Sequence, residues 1–379
     1  MAMSIREGII ATIHKKQADR IPFTMSWWYL PAGEIEREVR NKGLGLFYWI
    51  PCMYVSMPNV KMSMSGGGLF GSFVAAKEAE VKVTFETPVG TVSSPYYMTS
   101  FAGAMQDVYN FEGIGSHLIG HFVNKPEDWD VLKFMAEDLR YEACYDHLEY
   151  FNQLLGNDGV TNTMVGFHSP YTRLLIDWVG ANRLFVDYAK YPNKVESVIE
   201  ALAKNYEKQY PIAANAPADI VMYGDHIDEV LISPRIFERY ILPEHNKFVR
   251  MAHAKGKVTA IHCDGRLNGL KHLIAKLEHD IIHGITPPPV GNLPINEALD
   301  LWKDKVLWIN YEYHFMGVEA LKKHLLNLLR SIIPGYRVII DVSTERYVPP
   351  ECLRMFANIM SKATLPLTEE KIDKIEKSL

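Results

Sequence analysis

The feature that most constrains the fold is a regular alternation of apolar strand-like segments and amphipathic helical segments after about residue 124. A plausible helix follows each apolar segment. Alternation of this kind predicts a parallel sheet, and a series of this length predicts closure into a (β/α)8 TIM barrel of the α/β class. The strand-like segments are residues 162–167, 219–225, 257–263, 277–288, 305–311 and 336–343.

The first third of the chain has a different pattern. Residues 4–14 carry isoleucines at helical spacing, and the turn at Asp19–Pro22 leads into a first strand. Residues 45–110 are rich in Gly, Ser, Met and aromatics and include a β-hairpin with its turn at Pro88–Gly90. No linker interrupts the chain, so we expect one domain over residues 1–379, with an N-terminal elaboration to about 120 and the main barrel repeats over about 121–379.

Composition excludes several classes of protein. A net charge of -5 and a sequence pI of about 6.3 do not suit a nucleic-acid binder. The four cysteines form no CxxC pair, which favours free thiols in a reducing compartment over disulfides. No apolar stretch is long enough to span a bilayer, so we expect a cytoplasmic protein that does not bind membranes.

Polar side chains gather where the predicted strands end. In a TIM barrel the carboxyl ends of the strands and the loops after them carry the catalytic groups. The candidates selected by this rule are His168, Asp225, His226, Glu229, His262, Asp264, His283, Asn310, Tyr311, Glu312 and residues 341–345.

Five segments carry a resemblance to a known family. They are residues 5–23 (IREGIIATIHKKQADRIPF), 87–92, 125–134, 223–265 and 341–360, and they occur in the family's order. Together they resemble the uroporphyrinogen decarboxylase-like superfamily. That resemblance implies a single barrel whose reaction is either decarboxylation or methyl transfer.

One segment separates these two activities. Porphyrinogen decarboxylases of the superfamily carry an arginine-rich segment that binds propionate groups, whereas this chain has Ser-Trp-Trp-Tyr-Leu-Pro at 26–31. Tryptophan cannot replace a bidentate guanidinium, but it provides an apolar wall for a neutral substrate. The resemblance therefore favours methyl transfer. We expect substrate contacts from Trp27, Trp28, His168, Asn310 and Glu312.

The superfamily's methyltransferases place a His-x-Cys pair around zinc. Here alternate residues of one strand put His262 and Asp264 on a shared face, with a carboxylate in the thiolate position. Glu229 and Glu244 are separated by fourteen residues and precede His262, which resembles the zinc motif of corrinoid-dependent O-demethylases, although the second interval, of seventeen residues, is shorter than in that motif. The expected zinc ligands are Glu229, Glu244, His262 and Asp264, and Asp225 is an alternative ligand.

The closest resemblance is to the first methyltransferase of such O-demethylase systems. It implies cleavage of a methyl, chiefly aryl, ether, with zinc as Lewis acid and with transfer of the methyl group to the Co(I) corrinoid (cobalamin) of a partner protein. Imidazole with carboxylates leaves a harder zinc than thiolates do, which favours an oxygen-bound methyl group. His226, Asp225 and Tyr311 are the expected catalytic residues.

Other activities remain open from the sequence. The chain could pass a methyl group from a methylcorrinoid to a thiol of the coenzyme M type, although thiolate ligands for zinc are missing. It could be a cofactor-free decarboxylase of a non-porphyrin substrate. Outside enzymology, it could be an inactive corrinoid-binding module, which would bind little zinc and tolerate loss of His262.

Overall fold

A computed structural model describes residues 3–27, 30, 33–65, 79–98, 116–118, 120–311, 317–342 and 349–379. Contacts between Cα atoms divide the chain into two compact units. The first contains residues 1–52, 144–166 and 213–379, and the second contains residues 53–143 and 167–212.

The first unit is a closed barrel of eight parallel strands, which confirms the predicted (β/α)8 fold. Around the barrel, neighbouring strands follow one another in sequence order, and the first strand pairs with the last. Two of these strands lie before residue 121, so the barrel is not confined to the later repeats. The strands are β1 (Phe23–Ser26), β2 (Leu44–Trp49), β9 (Gly159–Gly166), β10 (Ile220–Tyr223), β11 (Val258–His262), β12 (Ile281–Ile285), β13 (Val306–Asn310) and β14 (Val338–Asp341).

Most residues of the barrel strands are buried, because parallel strands are covered on both faces and therefore read as nearly continuous apolar runs. Side chains that face inward fill the barrel, towards the amino-terminal ends of its strands, with apolar groups. This interior cluster includes Phe47, Val160, Ile220, Met222, Val258, Ala260, Ile281, Val306, Trp308 and Ile339.

The helix Ile5–Ile13 covers the amino-terminal end of the barrel. Its residues Ile9 and Ile13 belong to the interior cluster. The Arg6 guanidinium donates to both carboxylate oxygens of Asp219, at 2.8 and 2.5 Å, and to the carbonyl oxygen of Gly159 at 3.0 Å. Because this end is closed by apolar packing and an ion pair, polar chemistry is left to the carboxyl end.

Helices connect the barrel strands, as the sequence pattern predicts. Besides Ile5–Ile13, the helices of this unit are Glu34–Asn41, Asp146–Leu155, Pro234–Ile236, the π-helical Phe237–Ile241, Leu242–His253, the 3-10 helix Asn268–Leu270, Lys271–Ile274, Ile295–Leu301, Val318–Ser331, Pro350–Met360 and Glu369–Lys377. The helix Tyr210–Asn215 lies where the chain passes from the second unit to the first.

The second unit combines two small antiparallel sheets with helices. One sheet pairs β3 (Met53–Ser56) with β8 (Arg140–Ala143). The other has the order β4, β5, β6, β7, formed by Lys61–Ser65, Ala79–Thr87, Gly90–Met98 and Ser116–Leu118. Thr87 pairs with Gly90 across the turn, which confirms the predicted hairpin. The helices are Asp128–Asp138, Pro170–Thr172, the π-helical Arg173–Trp178, Ala181–Lys190 and Pro192–Tyr206.

Within the described residues, every helix is too short or too polar to cross a membrane.

The β2–β9 seam depends on a glycine. A Cβ atom at Gly159 would lie 1.9 Å from the carbonyl oxygen of Leu46, its partner in the ladder, whereas a Cβ atom at Gly8 would meet nothing within 4 Å. We expect Gly159→Ala to lower the free energy of unfolding by roughly 3 kcal/mol, since backbone must move. Gly8→Ala, in a helix interior, should raise it by about 0.5–1 kcal/mol. Equal melting temperatures for the two variants would contradict this account of the seam.

Candidate functional site

Three side chains that could hold a metal ion converge at the carboxyl end of the barrel. His226 follows β10, His262 is the last residue of β11, and Asp264 comes two residues later. The distance from His226 Nδ1 to Asp264 Oδ1 and that from His262 Nε2 to Asp264 Oδ2 are both 3.4 Å. Among the described residues, these three each offer one ligand atom within 4.8 Å of the others.

The carboxylate of this group is held in its charged form. Burial opposes ionisation of Asp264, but the charges and hydrogen bonds of His262 and His226 outweigh it and place its pKa well below the usual range. Asp264 and His262 are half-buried and His226 is exposed. The group therefore presents an ionised carboxylate and two imidazoles to a partly open site.

His283, at β12, supports His262 from the side. Its Nδ1 atom lies 2.9 Å from Nδ1 of His262. Burial, and then the neighbouring His262, places the pKa of His283 well below its ordinary value, so the ring is neutral. Gly284 makes room for this arrangement, because a Cβ atom there would lie 2.6 Å from Cε1 of His262, and its φ of 83° favours glycine.

A buried chain of polar groups lies behind His226. Asp225 has a φ of 113°, a region that costs a non-glycine residue on the order of 1 kcal/mol or more. Its Oδ2 atom lies 2.8 Å from Nε2 of His245, and Nδ1 of His245 lies 3.0 Å from Nε2 of His279. Tyr223 stacks on the His245 ring at 4.3 Å. These contacts hold the backbone next to His226 in its unusual conformation.

A second buried chain crosses the barrel interior. The indole N–H of Trp308 donates to Oγ1 of Thr24 at 3.1 Å, and the Thr24 hydroxyl donates to Asp341. Burial raises the pKa of Asp341 to about 6, although its hydrogen bonds oppose the rise. The barrel interior therefore holds a carboxyl group whose charge is costly.

The two predicted glutamate ligands lie outside the group of three. Glu229 accepts hydrogen bonds from the backbone N–H of Gly269 and, at 2.8 Å, from Nδ2 of Asn292. Those contacts tie two loops together. Glu244 lies in the first turn of the helix Leu242–His253, where an acidic side chain stabilises the helix dipole.

Three of the predicted catalytic and substrate-binding residues, all in the barrel unit, have defined contacts of their own. The Tyr311 hydroxyl is buried and donates to the carbonyl oxygen of Leu321 at 2.9 Å, so its catalytic role stays a prediction. Asn310 is buried at the end of β13, and Nδ2 lies 3.4 Å from Oγ1 of Thr286. Trp27 is exposed and stacks on Tyr48, with ring centroids 5.4 Å apart.

Three further residues complete the predicted substrate set. In the second unit, Nδ1 of His168 lies 2.8 Å from the Asp177 carboxylate. Trp28 and Glu312 lie outside the described residues. Sequence reasoning gave no role to His245, which a helix brings to Asp225, or to His279, which the loop before β12 brings to His245.

The chain is similar to a known family in sequence and to solved proteins in fold. The model of the uroporphyrinogen decarboxylase (URO-D) family matches residues 53–284, more than half of the chain. No curated protein matches. A solved methyltransferase from Methanosarcina mazei is 12% identical with a TM-score of 0.55, and the match covers 99% of each chain. A B12-independent methionine synthase from Shewanella sp. W3-18-1, solved with selenomethionine, is 10% identical with a TM-score of 0.38, covering 90% of this chain and 85% of its own.

The pKa of Asp341 predicts a pH dependence of stability. Its folded-state pKa of about 6 exceeds the usual value of about 3.9, so the native state binds more protons between these values and stability falls as pH rises through them. The loss attributable to Asp341 is about 3 kcal/mol and is complete above pH 6 to 7. Asp341→Asn should remove it.

Melting temperatures of the wild type and Asp341→Asn, measured from pH 4 to pH 7, check this expectation. The variant should gain stability relative to the wild type as pH rises. Asp300→Asn, at an exposed position, is the control. If the difference in melting temperature between the wild type and Asp341→Asn stays constant from pH 4 to pH 7, burial does not destabilise the ionised form of Asp341.

Proposed function

This chain belongs to the uroporphyrinogen decarboxylase family, and from that premise we propose that it is a metal-dependent methyltransferase. Its substrate is a small methyl ether, chiefly an aryl ether, and the acceptor is the corrinoid of a partner protein. The observation that carries the proposal is the group of His226, His262 and Asp264 at the end of the barrel where enzymes of this fold place their active sites.

The three side chains fit zinc by their chemistry. Two imidazoles and one carboxylate form a common ligand set of catalytic zinc sites, which keep a fourth position for substrate or water. The absence of a thiolate from this set favours a hard oxygen ligand over a thiol. Gly284 lies directly beside the His262 imidazole, and any larger residue at this position would displace the ring.

Zinc bound there would supply Lewis-acid stabilisation to the oxygen from which the methyl group departs. The remaining contributions come from the chain itself. A His262 ring that offers Nε2 to the metal carries its proton on Nδ1, and the neutral His283 is placed to accept that proton's hydrogen bond. Asp225 and His245 hold the backbone that carries His226.

Methyl transfer breaks the carbon–oxygen bond, and the oxygen keeps the electron pair. The methyl group passes to the reduced corrinoid of the partner, and the oxygen finally takes a proton. We propose that water or an exposed acid at the open side of the site supplies this proton, since the Tyr311 hydroxyl is committed to the Leu321 carbonyl.

Two further observations favour methyl transfer over decarboxylation. The structural neighbour that shares the fold over nearly its whole length is described as a methyltransferase. Residues 26–31 of this chain also lack the arginines that would bind a porphyrinogen's carboxylates.

Metal binding tests the ligand set. We expect the chain to bind one zinc ion. His226→Ala, His262→Ala and Asp264→Ala should each weaken zinc binding by more than about 100-fold, because removing a ligand has a larger effect than removing a group that only hydrogen-bonds to a ligand. Competition with a chelator measures the affinity. Glu229→Ala and Glu244→Ala should bind zinc as the wild type does. Loss of zinc in those two variants alone would instead support the glutamate motif.

Activity provides the second part of this test. With a reduced corrinoid protein, the chain should demethylate 2-methoxyphenol, and His262→Ala should lower kcat by about 100-fold or more. Metal-independent release of carbon dioxide from a carboxylated substrate, with no methyl transfer, would contradict the proposal and indicate a decarboxylase.

Gly284→Ala tests the geometry of His262 without removing a ligand. The added Cβ atom should displace the imidazole, and a shift of this kind weakens zinc binding and catalysis by about 10- to 100-fold. Cobalt(II) substituted for zinc should show an altered visible spectrum. Gly317→Ala is the control, because a Cβ atom there meets nothing within 4 Å. Identical spectra for Gly284→Ala and the wild type would show that the space beside His262 is unimportant.

A further inference from the structure

Asn162 is an amide in an apolar part of the barrel interior. It lies on β9 between Val160 and Met164, and these two residues belong to or pack against the interior cluster. Because alternate residues of a strand share a face, Asn162 faces the interior as well. Its neighbours in the ladder are Ile220 on β10 and Trp49 on β2, which also contribute to the cluster.

The amide of Asn162 is fully buried, and neither Oδ1 nor Nδ2 has a hydrogen-bond partner among the residues that the structure describes. Native proteins rarely tolerate this, because a buried polar group without a partner costs about 1–3 kcal/mol. Aliphatic residues fill equivalent interior positions in this barrel at lower cost. The buried amide of Asn162 destabilises the fold. Hydrogen bonds to a bound ligand explain most directly why the chain has an amide at this position.

Trp49 connects Asn162 to the site. The Trp49 ring, half-buried, meets the rings of His262 and His283 edge-on, with centroids 6.3 and 5.5 Å away. Phe47 and Trp308 also contact His283, at 5.3 and 5.5 Å. Through Trp49, its partner in the ladder, Asn162 is linked to the residues around His262, and its amide offers one acceptor and two donors.

We infer that Asn162 is a specificity-determining residue that binds a hydroxyl substituent on the substrate ring. A hydroxyl group donates to Oδ1 and accepts from Nδ2, so it satisfies both orphaned atoms. The inference rests on the proposed function, because it assumes that the ligand is an aryl methyl ether. It adds that the substrate is a phenol, and that a ring without the hydroxyl is rejected because the amide is then left unpaired.

Ligand binding tests this inference without methyl transfer. The purified zinc-loaded chain is titrated by calorimetry with 2-methoxyphenol and with methoxybenzene, which lacks the hydroxyl. We expect the wild type to prefer 2-methoxyphenol by about tenfold or more. Asn162→Leu, similar in size and apolar, should abolish that preference. Met164→Leu, on the same face of the same strand, should keep it.

Thermal melting of the free protein separates a ligand-binding amide from a structural one. Asn162→Leu should melt at a higher temperature than the wild type, since it removes an unpaired buried amide. A lower melting temperature together with an unchanged preference for 2-methoxyphenol would show that Asn162 is structural and would overturn the inference. So would equal binding, or no binding, of the two compounds by the wild type.

These outcomes differ from a failure of the proposed function. Hydroxyl-dependent binding that Asn162→Leu abolishes, without any methyl transfer to a reduced corrinoid, would support the role of Asn162 and contradict the proposed reaction. Methyl transfer from methoxybenzene and 2-methoxyphenol with equal kcat/KM would support the reaction and overturn the role of Asn162.

Discussion

Closure of eight parallel strands into one barrel is the constraint on which the site depends. A closed barrel leaves no sheet edge, and its lower interior is filled by apolar side chains and by Ile9 and Ile13 from the first helix. The Arg6–Asp219 ion pair secures that end. Polar groups can then converge at low cost only where the strands end near solvent, and that is where His226, His262 and Asp264 lie close together.

The parts of the structure that follow from short-range rules could be predicted from the sequence. Strand and helix alternation predicts the barrel, and two-residue periodicity predicts the shared face of His262 and Asp264. The number of residues between two side chains predicts less reliably whether both belong to one site. The interval from Glu229 to Glu244 resembles a zinc motif, yet the Glu229 carboxylate binds Gly269 and Asn292, which are 40 and 63 residues away. Loop contacts of that range leave no local pattern.

Sequence reasoning named Asp225 and Asp341 as candidates but missed the contacts that hold them, because their partners come from distant parts of the chain. Asp225 needs His245 and His279, and Asp341 needs Thr24, 317 residues earlier in the chain. A lone histidine or aspartate in an apolar run is usually read as a strand end. Only the assembled barrel shows that these groups stabilise an unusual backbone at Asp225 and a costly carboxyl at Asp341.

The free-energy cost of a strained or buried polar residue also helps to distinguish structural residues from ligand-binding residues. The strain at Asp225 is compensated by His245, and the buried Asp341 has the Thr24 hydroxyl as a donor. Asn162 has no such compensation among the described residues. The uncompensated amide, which pairs with Trp49 in the ladder, is therefore the observation that separates a ligand-binding role for Asn162 from a structural one. If Asn162 binds the substrate as we propose, substrate selection depends on the barrel interior as well as on the residues where the strands end.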